Sequence, residues 1–117
     1  MIASHRVAIV LGALVASAAL FGCEKNCQNT CERIYGAECS IVIAGIPADE
    51  LTNNCQNECE HALQRPGSMG DYNPYNQRNP TEDFHLENEK QAAEWMDCVS
   101  KATCEDLDPI TGICYPI

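Results

Sequence analysis

The chain has 117 residues, enough for one small domain, and nine of them are cysteines. From Cys23 onward it carries six Lys and Arg against seventeen Asp and Glu, a net charge of −11. Such a surface repels phosphate backbones and anionic lipid head groups, which argues against nucleic acid as a partner. The charge is explained most simply by solubility, and an acidic face for a cationic partner or divalent ions is the alternative.

Residues 1–22 are typical of an export signal. A short positive region ends at Arg6, an apolar run extends from Val7 to Leu20, and small residues follow it. The run has fourteen residues, whereas a membrane-spanning helix needs about 20. We therefore expect this segment to be removed after export rather than kept in the membrane.

The signal ends Leu20-Phe21-Gly22-Cys23, which resembles the lipobox of bacterial lipoproteins. The resemblance implies cleavage before Cys23 and attachment of a diacylglycerol to its sulfur, although Phe21 departs from the usual small or β-branched residue. An odd number of cysteines in an exported protein leaves one thiol to explain, and lipidation of Cys23 leaves eight that can pair. Cleavage after Ala18, releasing a soluble secreted protein, is the alternative. In the lipidated form, residues 23–26 are a short tether, and two acyl chains hold a protein stably to a membrane.

Two nearly identical hexapeptides follow the tether, Cys27-Gln-Asn-Thr-Cys31-Glu and Cys55-Gln-Asn-Glu-Cys59-Glu. Residues i and i+4 share one face of an α-helix, so the two cysteines of each hexapeptide project together. Two such helices packed antiparallel can be bridged twice, by Cys27–Cys59 and by Cys31–Cys55. The arrangement resembles the twin Cx3C helical hairpins of small mitochondrial intermembrane-space proteins, and this resemblance implies the same architecture for residues 27–65.

The helices of this hairpin are expected at Asn26 to about Glu38 and at about Ala48 to Gln64, where Pro47 favours a helix start. The most apolar stretch of the exported part, Ile41–Ile46, lies between them. We expect it to cover the open end of the hairpin and to bury its three isoleucines. The alternative is an exposed apolar patch that docks on a protein partner.

Residues 66–80 are rich in Pro, Gly, Asn and Gln, which predicts an irregular surface linker. Residues 81–104 should hold a third helix, starting at Thr81 or at Asn88, where Asn88 and Gln91 resemble a capping box. Trp95 is expected to be the largest buried side chain.

Residues 105–117 are a turn-rich tail. The last four cysteines pair in an order that the sequence does not determine, and Cys114 is placed to reach Cys104 or Cys39. These four are Cys39, Cys98, Cys104 and Cys114.

No motif carries a recognisable catalytic chemistry. Paired Cys-x3-Cys segments could bind zinc, but exported thiols oxidise. His61 and His85 are interpreted as surface histidines, and Asp106 and Asp108 lack the remaining ligands of a calcium loop. We therefore expect neither an enzyme nor a cofactor or metal site.

The sequence thus predicts an all-α protein, a small disulfide-rich helical hairpin with a third helix and an irregular tail. We expect it to be lipid-anchored in a bacterial cell envelope, at the outer membrane or the periplasmic face of the inner membrane, as a non-catalytic binding or structural module. A soluble secreted inhibitor, effector or toxin-like scaffold is the second hypothesis, and a thiol metal-binding protein is the third.

Overall fold

The computed structural model describes residues 25–79, 81 and 83–117. In these ranges the chain forms helices α1 (Cys27–Tyr35), α2 (Ala48–Leu63) and α3 (Glu89–Lys101), with a 3-10 turn at Glu105–Leu107. The same ranges contain no strand, and the predicted all-α fold is confirmed. None of these helices is long and apolar enough to cross a membrane. The export signal and the lipidation site lie outside the described residues.

Helix α1 begins after Asn26, whose side chain accepts a hydrogen bond from the Asn29 N–H at 2.7 Å. It ends at Tyr35 rather than at the predicted Glu38. The Gly36 N–H still makes a helical bond to the Glu32 carbonyl at 2.7 Å, but Gly36 itself is extended, with φ of −84° and ψ of −156°. A Cβ atom at position 36 would lie 2.3 Å from that carbonyl oxygen. Glycine therefore determines where α1 stops.

Helix α2 starts directly after Pro47 and carries Asp49 and Glu50 in its first turn, where they complement the positive end of the helix dipole. Its buried residues Leu51, Cys59 and Ala62 share one face. That face packs against α1, and both helices also contact α3. The three helices therefore enclose a single core.

Helix α3 begins at the later of the two predicted starts. The Asn88 side chain accepts hydrogen bonds from the N–H groups of Lys90 and Gln91, both at 3.1 Å. The Gln91 side chain reaches back to the Glu87 N–H at 2.9 Å. This is the predicted capping box with its return bond displaced by one residue, and it limits the third helix to residues 89–101 of the predicted 81–104.

Trp95 is the largest fully buried side chain of the described residues, as predicted, with 2% of its surface exposed. Its indole N–H donates to the Cys114 carbonyl at 2.9 Å. The side chains around it are aliphatic residues and cystines, including Ile34, Val99 and Leu107. The core therefore joins the hairpin, α3 and the tail around one tryptophan.

The last four cysteines form Cys39–Cys104 and Cys98–Cys114. The expectation that Cys114 reaches Cys104 or Cys39 is wrong. The Gly112 N–H bonds the Asp108 carbonyl at 2.9 Å, and the Cys114 N–H bonds the Pro74 carbonyl at 2.7 Å. These bonds bring the tail back along α3, where Cys98 is available.

Candidate functional site

All eight cysteines of the described residues form disulfides. The two bonds between α1 and α2 join Cys27 to Cys59 and Cys31 to Cys55, with Cα–Cα distances of 5.7 and 5.8 Å. These are the pairs that the helical spacing predicts. Disulfides of this kind persist in oxidising compartments, so the chain is built for a location outside the reducing cytosol.

The four disulfides limit the possible partners of Cys23, which precedes the described residues. Because every other cysteine of the chain already has a disulfide partner, none remains to bond Cys23 within the molecule. In the ranges that the structure describes, no group of three or more His, Cys, Asp and Glu side chains could hold a metal ion. Cys23 is therefore the one cysteine whose chemistry the disulfide framework does not use.

The connection between α1 and α2 forms an apolar corner, here called the tip (residues 41–47). The Ile41 N–H bonds the Ile34 carbonyl at 2.9 Å, and the Ile46 N–H bonds the Ile43 carbonyl at 3.2 Å. Gly45 has φ of +86° within this turn, a conformation that L side chains rarely adopt. The tip is thus a defined turn held to the end of α1.

The tip is only partly buried. Ile41 and Ile43 pack against the core as predicted. Ile46, however, is 37% exposed, and Val42 is 77% exposed. Successive side chains of an extended segment point to opposite sides, so Val42 faces water when its neighbours face the core. The expectation that all three isoleucines are buried is wrong for Ile46.

A groove of about 220 Å³ lies beside the tip. Ile43, Ile46 and Leu51 line it from the hairpin, and Ile117 from the end of the tail. Burial, and secondarily the Glu58 carboxylate, raise the pKa of the Tyr35 phenol in this groove to about 12. Tyr35 therefore remains a neutral hydroxyl group at physiological pH.

Acidic side chains surround this apolar site. Asp49 and Glu50 are exposed in the first turn of α2, directly after the tip, and Glu58 lies in the wall of the groove. Among the described residues, neither Asp49 nor Glu50 forms an ion pair. The tip and its groove together offer apolar contact within an acidic border.

The remaining polar candidates are one surface histidine and three side chains with local polar contacts. His61 is exposed on α2, and the Nδ1 atom of His85 lies 3.2 Å from Glu58 Oε1. The Asp108 carboxylate accepts hydrogen bonds from two N–H groups and the hydroxyl of residues 110–111, with backbone bonds foremost in lowering its pKa. The Asp106 carboxylate accepts from the Thr103 N–H at 3.2 Å. These two carboxylates stabilise the turns of the tail.

The sequence did not predict a second concavity, a cleft of about 440 Å³ formed by the linker, the start of α3 and Tyr115. Its lining combines amide side chains with aromatic rings. The density of Asn and Gln in residues 73–79 was a usable signal, because turn formation alone does not require so many amides. The linker therefore forms one wall of a cleft as well as connecting α2 to α3.

Comparison of the chain with protein-family models, with curated proteins and with solved structures finds no match. The class of the protein therefore follows from its own architecture. In the part of the chain that the structure describes, three helices and four disulfides define a small cystine-stapled all-α protein of an oxidising compartment.

Proposed function

We propose that this protein is a lipid-anchored module of a bacterial cell envelope that binds another protein through the tip and performs no catalysis. The observation that carries the proposal is the number and pairing of the cysteines. Eight of the nine are joined in four disulfides, and the ninth, Cys23, stands at the end of a lipobox-like signal. A thioether-linked diacylglycerol gives that remaining thiol a chemical role.

The positions of anchor and tip along the hairpin support a binding role. Cys23 precedes the first residue of α1 by four positions, and the tip follows the other end of that nine-residue helix. At about 1.5 Å per residue, α1 separates its two ends by roughly 13 Å. A lipid on Cys23 would thus hold one end of the hairpin at the membrane and direct the tip away from it.

The chemistry of the tip supports a protein partner with a complementary surface. Val42 and Ile46 expose apolar surface, and Asp49 and Glu50 add negative charge beside it. A complementary protein surface has an apolar depression bordered by Lys or Arg. Interfaces of this kind gain affinity from the apolar centre and association rate from the charged border.

The anchor is tested by changing Cys23→Ser in the full-length protein. We expect the protein to move from the membrane fraction to the soluble fraction, because the acyl chains can no longer be attached. Intact-mass measurement of the wild-type protein should show a mature chain starting at Cys23 and carrying acyl groups. Ser17→Ala is the matched control and should leave both results unchanged.

Two outcomes would contradict the anchor. One is a Cys23→Ser protein that remains in membranes. The other is a wild-type protein cleaved after Ala18 and free of lipid, which would establish the soluble secreted alternative.

Docking at the tip is tested with a photocrosslinking amino acid at position 42 in the intact envelope, and at the exposed Asn53 of α2 as control. We expect a crosslink to one protein from position 42 alone. Binding of that protein after purification should weaken about tenfold for Val42→Asp, because burying an unpaired charge is unfavourable, and should weaken as salt is raised. Crosslinking to a second copy of the chain, or equal yields at both positions, would refute docking at the tip.

A further inference from the structure

We propose that the cleft beside α3 binds a neutral saccharide. The cleft lies between residues 70–79 of the linker and the segment from Phe84 to Gln91, with Tyr115 on a third side, and its volume is about 440 Å³. Binding sites for small ligands have volumes of roughly 300 to 1,000 Å³. None of the residues lining the cleft belongs to the tip or its groove, so the proposal goes beyond docking at the tip.

Three aromatic rings form the apolar wall of the cleft. The Tyr72 and Phe84 rings stack with centroids 4.6 Å apart and planes 7° apart, and the Phe84 and Tyr115 ring centroids are 5.5 Å apart. The Tyr72 hydroxyl donates to the Tyr115 carbonyl at 2.5 Å. These contacts fix a partly exposed aromatic surface on which the C–H face of a sugar ring can pack.

Amide side chains along the linker supply the polar wall of the cleft. In two of them, one of the two polar atoms of the amide is hydrogen-bonded within the protein. Gln77 Nε2 donates to the Thr111 carbonyl at 3.2 Å, and Asn73 Oδ1 accepts from the Tyr75 N–H at 3.0 Å. Gln77 Oε1, Asn73 Nδ2 and the whole amide of Asn76 have no partner among the described residues. Amides offer donors and acceptors together, which matches hydroxyl groups, since each of these both donates and accepts.

The charges at the cleft favour a neutral ligand. Among the described residues, the Asp71 and Glu87 carboxylates line it and no Lys or Arg does, so an anion would be repelled. A cation would leave the amide donors unused. A polyhydroxylated neutral molecule uses the amides and the aromatic wall together.

The test is a titration of the full-length protein in micelles of a polyoxyethylene detergent, which carries neither a sugar nor a quaternary ammonium head group. The probes are a panel of neutral di- and trisaccharides of glucose, galactose, mannose and N-acetylglucosamine, with tetramethylammonium as the cationic comparison. The readout is the set of backbone and side-chain amide NMR shifts. We expect at least one saccharide to give saturable shifts in residues 70–79, and tetramethylammonium to give none.

Three variants locate the site and identify the interaction. Asn76→Ala should weaken the responding saccharide about threefold to tenfold, the usual effect of one lost hydrogen bond, without disturbing the fold, because this side chain has no partner among the described residues. Asn53→Ala on the exposed surface of α2 is the control and should change nothing. The double change Asp71→Asn and Glu87→Gln removes charge while keeping shape, so it should change the affinity less than about threefold.

Several results would overturn the proposal. One is a panel in which no saccharide shifts the cleft resonances, and another is saccharide binding that shifts only residues elsewhere. A third is saturable binding of tetramethylammonium that disappears in the charge-removing double variant, which would make the cleft a cation site. None of these results depends on the lipid or on the tip, so the proposed function would be unaffected by them.

Discussion

The hairpin and the C-terminal half are both held by disulfides, but the disulfides join different kinds of structure. Cys27–Cys59 and Cys31–Cys55 each link one helix to another. Cys98–Cys114 links α3 to the irregular tail, and Cys39–Cys104 links two non-helical segments. A helix fixes the direction of its side chains relative to one another, whereas an irregular segment gains its direction from tertiary contacts.

In the C-terminal half, those contacts run from individual side chains to backbone carbonyls. Arg33 of α1 donates to the Val99 and Ala102 carbonyls at 2.5 and 2.8 Å and so caps the end of α3. Arg78 holds the Pro109 carbonyl with its side chain and the Gly112 carbonyl with its N–H. This half therefore depends on a few long-range bonds, whereas the hairpin depends on repeated helical spacing.

The largest expected effect is at Trp95, which joins α3 to the tail. We expect Trp95→Ala to lower the free energy of unfolding by about 3 to 5 kcal/mol, because it leaves a cavity in the core and removes the donor to the Cys114 carbonyl. Trp95→Phe keeps most of the apolar contact and should cost less, about 1 to 3 kcal/mol. Chemical denaturation with the disulfides intact measures both values.

Val42→Ala is the control for these measurements, because Val42 is largely exposed and should contribute less than about 0.5 kcal/mol. Equal stabilities for Trp95→Ala and Val42→Ala would mean that the tryptophan does not organise the core.

The sequence was informative where local rules determine the structure. The i, i+4 spacing identified Cys27–Cys59 and Cys31–Cys55, and Pro47 and Asn88 marked helix starts. Helix α1 ends early at Gly36, and only glycine fits there, because a Cβ would lie 2.3 Å from the Glu32 carbonyl oxygen. The remaining disulfides could not be predicted, since their partners are chosen by bonds such as that of Cys114 to Pro74, which join residues far apart in sequence.

Dependence on long-range contacts also explains how much of each candidate site could be predicted from the sequence. The tip was visible as a run of apolar residues, but which of them face water depends on the turn at Gly45. The cleft was not visible, because its walls come from the linker, α3 and the tail. The spacing of residues along the chain does not indicate which distant segments contact one another.

Removing one disulfide from each half tests the comparison directly. The changes are Cys31→Ala with Cys55→Ala in the hairpin, and Cys98→Ala with Cys114→Ala in the other half. The closed loops span 24 and 16 residues, so the chain-entropy model gives about 3 kcal/mol for each. The local consequences should nevertheless differ, because the hairpin keeps Cys27–Cys59 whereas the tail loses its covalent link.

Hydrogen exchange by mass spectrometry distinguishes the two variants. We expect faster exchange confined to residues 105–117 when Cys98–Cys114 is absent, and protection of α1 and α2 largely retained when Cys31–Cys55 is absent. Unchanged protection of the tail in the first variant would mean that its hydrogen bonds suffice, and that the two halves do not differ in the way proposed.

The smallest expected effect is at Asp97, where three segments meet at one partly exposed carboxylate. Asp97 Oδ1 lies 2.8 Å from Lys25 Nζ, and Oδ2 accepts hydrogen bonds from Lys101 at 2.8 Å and Tyr75 at 2.5 Å. These bonds, from Lys101 foremost and then from Lys25 and Tyr75, lower the pKa of Asp97 well below the usual range of an aspartate. Because the folded-state pKa lies below the unfolded one, the stabilisation is present above about pH 4 and is lost as the pH falls through the folded-state pKa.

Asp97→Asn should therefore lower the denaturant midpoint slightly at neutral pH, and this difference from the wild type should shrink as the solution is acidified. Asp71→Asn, at a carboxylate with no ion-pair partner among the described residues, is the matched control. An Asp97→Asn difference that persists unchanged in strong acid would show that the charge of the carboxylate does not hold Lys25, Tyr75 and α3 together.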